Sequence, residues 1–297
     1  MAKRVSRSTS RRMDAMLVFD RTAVRRHRDR AARSVGQVAD VLRDAAERLL
    51  DRLDDTTVRF SQALDVGGRG VVAPMLRARG IETVSCDLSA AMAAVNPGPV
   101  VAADEEFLPF APASFDLIVA NLSLHAVNDL PGALIQLRQA LRPDGLFLAS
   151  VPALGTLTEL RSALTEAEAA VTGGVSPRVS PFPELRDCAG LLQRAGFAVP
   201  VADIEEISLH YADPFALLRD LRAAGETNTV RLRDRRIPPR GLFPMALTAL
   251  PMVDGRAVVS LRMAVMTGWA PTAAAWTPPA SGVRVPPEIV VSGGGTT

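Results

Sequence analysis

An acidic residue followed by a glycine cluster is the feature that most constrains how this chain can fold. An apolar run over residues 58–66 carries Asp65 near its end, and a helical pattern starts at Val71. Three glycines separate the two: Gly67, Gly68 and Gly70. Glycine adopts positive φ and lets the backbone approach a ligand, and a helix N-terminus offers free N–H groups. A second acid, Asp87, follows about 20 residues later, where nucleotide-binding α/β folds place a ribose-binding acid.

Strand-like and helix-like segments alternate along the chain. Strands are predicted over residues 58–66, 81–86, 100–103, 116–122, 146–151, 197–208 and 258–269. This alternation indicates right-handed βαβ units. The expected fold is α/β, with a doubly wound, mostly parallel, seven-stranded Rossmann-like sheet over residues 58–270. A helical arm is expected at 19–57, and an inserted segment at about 209–256 precedes the last strand.

The charge of the chain is uneven. Residues 1–33 carry 11 Lys and Arg and 3 Asp, whereas the remainder carries 23 basic and 29 acidic residues. Residues 1–18 are expected to form a disordered basic leader, and the alternative is a transit peptide, whose composition they share. The other basic residues of the arm are expected to be solvated. The tail at 271–297 is expected to be disordered.

The composition argues against two classes of function. The arm has one aromatic residue, Phe19, to stack on bases, so nucleic-acid binding is not expected. No apolar run approaches the roughly 18 residues of a membrane span.

Three further segments extend the pattern in chain order: 104–110 (DEEFLPF), 114–119 (SFDLIV) and 141–147 (LRPDGLF). Together with the glycine turn they resemble the class I S-adenosylmethionine (SAM) dependent methyltransferases. The resemblance implies that Asp65 and the glycines hold the methionine end of SAM, that Asp87 binds the ribose and that Asp104 reaches the adenine. It places four neighbours in the same cofactor site: Leu88, Glu105, Asn121 and Leu122.

The glycine turn departs from the family pattern in one respect. The family has Asp-x-Gly-x-Gly-x-Gly, and this chain has Asp-x-Gly-Gly-x-Gly, which is one residue shorter. A shorter turn moves the backbone amides relative to the carboxylate end of the cofactor. Taken alone, a glycine cluster is equally typical of a tight turn that binds nothing. SAM binding is therefore expected from the whole series of segments.

Several blocks carry a narrower resemblance: 19–21 (FDR), 31–33 (AAR), 123–131 (SLHAVNDLP), 158–161 (TELR), 194–197 (RAGF) and 225–228 (GETN). They resemble the methyltransferase-fold assembly factor five of respiratory complex I and its bacterial relatives. That family usually has Trp where this chain has Ala126, and Ser where it has Thr227. The resemblance implies a SAM site and, for the eukaryotic member, hydroxylation of an arginine in a complex I subunit. A malonyl-carrier-protein methyltransferase of biotin synthesis shares the general SAM pattern.

Four residues are candidates for the reacting site. His125 follows the fourth predicted strand, where it could act as a general base, although it could equally only stack near the cofactor. Asn121 is expected near the methyl-sulfonium region of SAM. Glu226 and Asn228 could bind a cationic side chain, and the alternative for them is turn chemistry. Asp116 is expected to cap N–H groups at the start of a strand.

A metal centre is not predicted. An iron hydroxylase uses two His and one carboxylate on one face, and the chain has three histidines: His27, His125 and His210. His27 and Asp29 have the spacing of a ligand pair, but they lie in the basic arm, where solvated side chains are expected. The two cysteines, Cys86 and Cys188, suggest neither a disulfide framework nor a zinc site and favour a reducing compartment.

Two functions of different classes follow from these patterns. In the first, the chain is a SAM-dependent methyltransferase-fold enzyme, with protein arginine hydroxylation as its alternative chemistry. In the second, it is an assembly factor for respiratory complex I that binds a subunit without catalysis. The partner is accordingly a protein substrate, such as a complex I subunit, or a small molecule. The expected location is the bacterial cytoplasm, or the mitochondrial matrix if the leader is a transit peptide.

Overall fold

The computed structural model describes residues 17–272, so most of the predicted leader and tail lies outside the described residues. Within them, eight strands form a single sheet: β1 (Gln62–Val66), β2 (Glu82–Asp87), β3 (Val100–Ala102), β4 (Phe115–Asn121), β5 (Leu141–Pro152), β6 (Ala198–Tyr211), β7 (Met252–Val253) and β8 (Arg256–Trp269). The strand order is β3-β2-β1-β4-β5-β8-β6, and the short β7 pairs with β8.

Nine α-helices surround the sheet in the described part of the chain: α1 (Arg21–Ala31), α2 (Ala39–Leu50), α3 (Val72–Ala78), α4 (Ala90–Ala93), α5 (Leu130–Ala140), α6 (Thr158–Thr172), α7 (Leu185–Arg194), α8 (Pro214–Ala223) and α9 (Leu242–Thr248). None of the helices in this part of the chain is long and apolar enough to cross a membrane.

The sheet confirms the predicted fold class. Strands β1 to β5 are parallel, and β8 runs antiparallel to both β5 and β6. Seven strands lie on the main path of the sheet, as expected. The eighth, β7, forms a two-residue hairpin with β8 and was not predicted, because it is too short to show an apolar pattern. Helix α9 was likewise missed, since Pro244 interrupts its sequence.

Both faces of the sheet are covered, which explains the continuous apolar runs of its central strands. In β4, Ile118 contacts the cluster that includes Leu134 of α5, whereas Leu117 packs on the opposite face with Leu49 of α2. Successive residues of a strand point to opposite faces, and here both faces are buried. A third cluster, built from α6, α8, α9 and the first half of β8, lies at the end of the sheet.

The start of β1 is organised by Asp116, as predicted. Its carboxylate accepts hydrogen bonds from the backbone N–H groups of Ser61 and Gln62, at 3.0 and 2.9 Å. Regular pairing of β1 begins at Gln62, although the apolar run starts at Val58. The capping acid therefore marks the point where the chain enters the sheet.

The N-terminal arm is anchored to the inserted segment. Asp20 caps α1 by accepting from the N–H of Ala23 at 3.1 Å, and it also pairs with Arg233 at 3.0 Å. Beside it, Phe19 forms an antiparallel bridge with Val230. These contacts hold α1 against the carboxyl edge of the sheet.

Candidate active site

The carboxyl edge of β1, β2 and β4 gathers most of the predicted cofactor residues. These strands are parallel neighbours, and Asp65 of β1 is in register with Ser85 of β2 and Val119 of β4. The turn after β1 consequently lies beside Asp87, the last residue of β2, and Asn121, the last residue of β4. Open α/β sheets bind their ligands at this edge.

The shortened glycine turn is closely packed. Gly67 has a φ of 69°, and a side-chain carbon there would collide with Ser123. Asn96, which the sequence pattern did not single out, closes the other side. Its Oδ1 accepts from the N–H of Gly70 at 2.8 Å, and its Nδ2 donates to the carbonyl of Gly68 at 3.0 Å. The turn therefore forms a rigid cradle in spite of the missing residue.

Asp65 is a buried acid with spare hydrogen-bonding capacity. Its Oδ2 accepts from the Ser85 hydroxyl at 3.3 Å, while its Oδ1 has no partner among the described residues. Burial, reinforced by the nearby charge of Asp87, raises the pKa of the Asp65 carboxyl to about 7. An unpaired buried acceptor is costly, and a donor on a ligand would satisfy it.

Asp87 is fully buried, and both of its oxygens are bonded. One accepts from the backbone N–H of Ser89 at 2.7 Å, and the other is paired with the guanidinium of Arg28 on α1. Burial alone would lower the pKa of Arg28, but Asp87, Glu105 and Glu226 together raise it above its usual value. Arg28 is therefore a charged group inside the protein.

A second arginine of α1 pairs with the predicted adenine-binding acids. Nη2 of Arg21 lies 2.6 Å from Oδ1 of Asp104 and also contacts Glu105. Nearby, Leu88 packs in a small apolar cluster with Phe19 of the arm. The three acids predicted to bind the nucleoside part of SAM, Asp87, Asp104 and Glu105, are thus paired with two arginines of α1.

The expectation that the basic residues of the arm are solvated was therefore wrong for Arg21 and Arg28. They are seven residues apart, which places them on one face of α1, two turns from each other. The side chain of Arg28 is 3% exposed. His27 is also partly buried, and its Nδ1 lies 2.7 Å from the Thr227 hydroxyl. Charge composition could not reveal this, because the matching acids lie at least 59 residues away in the chain.

The chemistry of this edge fits SAM. Asp65 offers a free acceptor for an ammonium group, and Asp87 and Asp104 offer carboxylates for hydroxyl and amine donors. The space beside the glycine turn is about 10 Å³ in this structure. A bound cofactor would therefore take over contacts that Arg28 and Arg21 make with these acids.

Beside the turn, three charged or polar side chains form a continuous cluster. Nε2 of His125 lies 2.7 Å from Oε2 of Glu226, and Nη1 of Arg69 lies 2.9 Å from Oε1 of the same carboxylate. Burial alone would raise the pKa of Glu226, but His125, Arg69 and Arg28 hold it well below its ordinary value. Glu226 is consequently ionised, and it joins the inserted segment to the sheet.

Arg69 belongs to the glycine turn itself but reaches away from it. Its guanidinium donates to the backbone carbonyls of Leu122 and Ala224, in addition to Glu226. Leu122 has a φ of 50°, a conformation that residues other than glycine rarely adopt. The backbone after β4 is thereby turned so that its carbonyl meets Arg69. In the sequence motif this position of the turn is unspecified, so the role of Arg69 was not predicted.

The two predicted amide contacts are engaged inside the protein. Asn121 donates to the carbonyl of Leu42 in α2 at 2.9 Å and accepts from the Ser150 hydroxyl at 2.9 Å. Asn228 donates to the carbonyl of Pro177 at 2.7 Å. Asn121 therefore links α2 to the sheet, and Asn228 links the inserted segment to the loop between α6 and α7.

A large cavity adjoins this cluster. It has a volume of about 710 Å³ and is lined by Arg69, His125 and Glu226 at its polar part. Most of its remaining lining residues are apolar, and α6, α8, α9 and β6 contribute several of them. The space beside the glycine turn shares Arg69 and Leu42 with it. The side chains of Arg69 and Leu42 thus separate a polar cradle from an apolar chamber.

Comparison with known proteins identifies the family. The family described as methyltransferase domain matches residues 34–200, which is more than half of the chain. The chain belongs to this family. The match includes the glycine turn, Asp87, Asp104 and His125. The predictions of the family, of a methyltransferase-fold enzyme and of SAM as its class of cofactor are confirmed.

Relatives of two kinds match most of the chain. Arginine-hydroxylase NDUFAF5, mitochondrial, of Danio rerio is 36% identical over 280 residues, covering 90% of this chain and 87% of the relative. Malonyl-(acyl-carrier protein) O-methyltransferase of Xylella fastidiosa is 35% identical over 270 residues, covering 86% and 90%. Both predicted resemblances are therefore found, at nearly equal identity.

A solved structure supports the fold independently. The YcgJ protein of Bacillus subtilis superposes with a TM-score of 0.52 at 14% identity, covering 76% of this chain and 98% of that one. At this identity the similarity concerns the fold alone. Among the residues that the structure describes, no cluster of three or more His, Cys, Asp or Glu could hold a metal ion.

Proposed function

We propose that this protein transfers a methyl group from SAM, held at the carboxyl edge of β1, β2 and β4, to an acceptor in the large cavity. The observation that carries the proposal is the cluster of His125, Glu226 and Arg69. It lines the cavity and is continuous with the glycine turn through Arg69. A proton acceptor thus stands where the cofactor cradle and the cavity meet.

The hydrogen bond to Glu226 defines how His125 can act. Because Glu226 is ionised, it accepts a proton-bearing Nε2, so the neutral imidazole carries its lone pair on Nδ1. Nδ1 is buried and has no partner among the described residues. The bond to Glu226 fixes the orientation of the ring, with Nδ1 as the atom that can take up a proton. His125 is therefore built as an oriented base.

Different residues would bind the cofactor, take up the proton and position the base. Asp65, Asp87 and Asp104 would hold the cofactor, which supplies an electrophilic methyl group when bound. The acceptor gains that methyl group and loses one proton from an O–H or N–H, and Nδ1 of His125 takes the proton. S-adenosylhomocysteine is the second product. Arg69 acts by positioning Glu226, which in turn positions His125.

Hydroxylation of a protein arginine is the second candidate. It draws support from the relatives named arginine-hydroxylase and from Glu226, which lies beside His125 as an arginine-binding role requires. Against it, Glu226 and Asn228 are already engaged with groups of this protein. A non-catalytic assembly role is the third candidate. The location, bacterial cytoplasm or mitochondrial matrix, stays a prediction.

Mass spectrometry separates these candidates. Extracts from cells with and without the protein are compared after incubation with SAM, in both the small-molecule and the peptide fraction. Methyl transfer adds the mass of one CH₂ to an acceptor, and hydroxylation adds the mass of one oxygen to an arginine peptide. A product that carries the label of methyl-deuterated SAM supports the proposal. An arginine peptide heavier by one oxygen, or no product in either fraction, would overturn it.

A further inference from the structure

The walls of the large cavity are more extensively apolar than binding of the cofactor requires. Leu160 and Leu164 of α6 and Leu217 of α8 contact the cavity, and each is at most 5% exposed. Phe182 and Phe243 add aromatic surface. A volume of about 710 Å³ is within the range, about 300–1,000 Å³, in which pockets enclose most of a drug-sized ligand. The chamber therefore suits a ligand with a substantial apolar body.

The carboxylate at the polar part of the cavity is already bonded within the protein. Glu226 is bound by Arg69 and His125. Asp220 lies near the hydroxyl of Tyr211, and burial together with the charge of Asp220 raises the pKa of that hydroxyl. A guanidinium or ammonium group brings several donors and no acceptor. A cationic ligand would consequently compete with Arg69 and His125 for Glu226.

Helix α8 adds positive charge at the rim of the cavity. Phe215, Arg219 and Arg222 contact the cavity, are exposed and recur at helical spacing on one face. Arg219 pairs with Asp213 at 2.7 Å. Arg222 forms no ion pair with any residue of the described range 17–272. The rim therefore carries a cation that is available to a ligand.

We infer that the cavity binds the alkyl chain of an amphipathic anion, and that Arg222 recognises the anionic head group at the rim. The apolar walls account for the chain, and Arg222 at the rim accounts for the sign of the head group. That this class of compound contains the methyl acceptor rests on the proposed function. Binding of the chain does not.

A chain-length series tests the inference without SAM. Calorimetric titrations use saturated carboxylates from hexanoate to dodecanoate, below their micellar concentrations, and decylamine as the cationic counterpart of decanoate. Each added methylene should tighten binding about fourfold, which corresponds to about 0.8 kcal/mol per buried CH₂. The gain should stop once the chain fills the cavity. Decylamine should bind at least tenfold more weakly than decanoate.

Two pairs of variants locate the binding. Leu218 is a half-buried lining residue, and Leu218→Trp should weaken decanoate at least tenfold by filling the chamber. Its matched control is Leu191→Trp, at a half-buried leucine of α7 outside the lining. Arg222→Glu should weaken decanoate and leave decylamine unweakened, whereas Arg256→Glu, at an exposed arginine outside the lining, should change neither. Circular dichroism and thermal melting establish that each variant is folded.

The outcomes separate the chain-binding inference from the proposed reaction. Affinity that does not depend on chain length, or that is equal in wild type and Leu218→Trp, overturns it. Equal binding of decanoate and decylamine overturns the assignment of an anionic head group. If chain-length dependence is found and no methyl product forms, the cavity assignment stands and the proposed methyl transfer fails. If a methyl product forms on a compound without an alkyl chain, the assignment of the acceptor class fails alone.

Discussion

The glycine-turn edge and the large cavity share Arg69 and Leu42 and yet differ in almost every physical property. The edge is packed to a space of about 10 Å³ and is rich in buried charge: Asp65, Asp87 and Arg28 are each at most 3% exposed. The cavity is about 710 Å³ and is mostly apolar. The edge is built for hydrogen bonds of defined direction, and the cavity for contact area.

The two regions would suit ligands of different chemistry. Buried charges are stabilising only when they are paired and hydrogen-bonded, so the edge tolerates little variation in what binds there. Apolar burial is non-directional and scales with area, so the cavity would accept ligands of different shape.

The largest effect is expected from removing His125, the proposed base at the boundary between the two regions. His125→Ala should lower the rate of methyl transfer about 10²- to 10⁴-fold, the usual contribution of a positioned general base. Glu226→Gln should lower it less, because the ring keeps a hydrogen-bonding neighbour. His210, which is exposed on β6 and absent from the cavity lining, provides the control His210→Ala. An unchanged rate in His125→Ala, measured by product formation from labelled SAM, would remove it from the mechanism.

Buried charge at the edge should weigh heavily on stability. Arg28→Ala leaves Asp87 buried without its partner and should reduce the free energy of unfolding by about 3–5 kcal/mol. Arg43→Ala is the matched control, because Arg43 pairs with Asp40 on an exposed helix surface and should lose less than about 1 kcal/mol. Urea unfolding followed by circular dichroism measures both. Equal losses would show that the buried Arg28–Asp87 pair contributes no more to stability than an exposed ion pair.

The buried acid of the edge should make stability depend on pH. The pKa of Asp65 is about 7 in the folded protein and close to 3.8 when unfolded, so the folded state binds the proton more tightly. The stabilisation that results from this tighter proton binding is therefore fully present below about pH 4 and is lost as the pH rises through 7. Relative to wild type, Asp65→Asn should gain about 2–3 kcal/mol of stability between pH 5 and pH 8. Urea unfolding at the two pH values would contradict this if the difference stayed constant.

The sheet was predictable from the sequence because its signals are local. Strand and helix patterns alternate over short windows, and the buried run of β4 lacks the two-residue period of a half-exposed strand. The carboxyl-edge positions of Asp65, Asp87 and Asn121 then follow from the parallel order of the strands. The patterns did not predict β7, which has only two residues, or α9, which contains a proline.

The electrostatics of the site were not predictable from the same patterns. Arg21 and Arg28 lie in a run of basic residues, and composition alone made that run a solvated face. Their partners, Asp104 and Asp87, are distant in the chain, and only the folded sheet brings them to α1. Arg69 sits at a position of the turn that the motif leaves open. Pairings across the tertiary structure leave no periodic trace, so they could not have been found this way.

The binding of SAM at the charged edge is tested most directly by calorimetric titration of SAM into wild type and two variants. Asp87→Asn keeps the hydrogen bond from Ser89 but loses its charge, and it should weaken SAM by about 1.5–3 kcal/mol relative to wild type. Leu218→Trp, which changes only the cavity, should leave the affinity for SAM unchanged. If Asp87→Asn binds SAM like wild type, or if Leu218→Trp weakens SAM as much as Asp87→Asn does, the cofactor does not lie at the charged edge, and the division of the site is wrong.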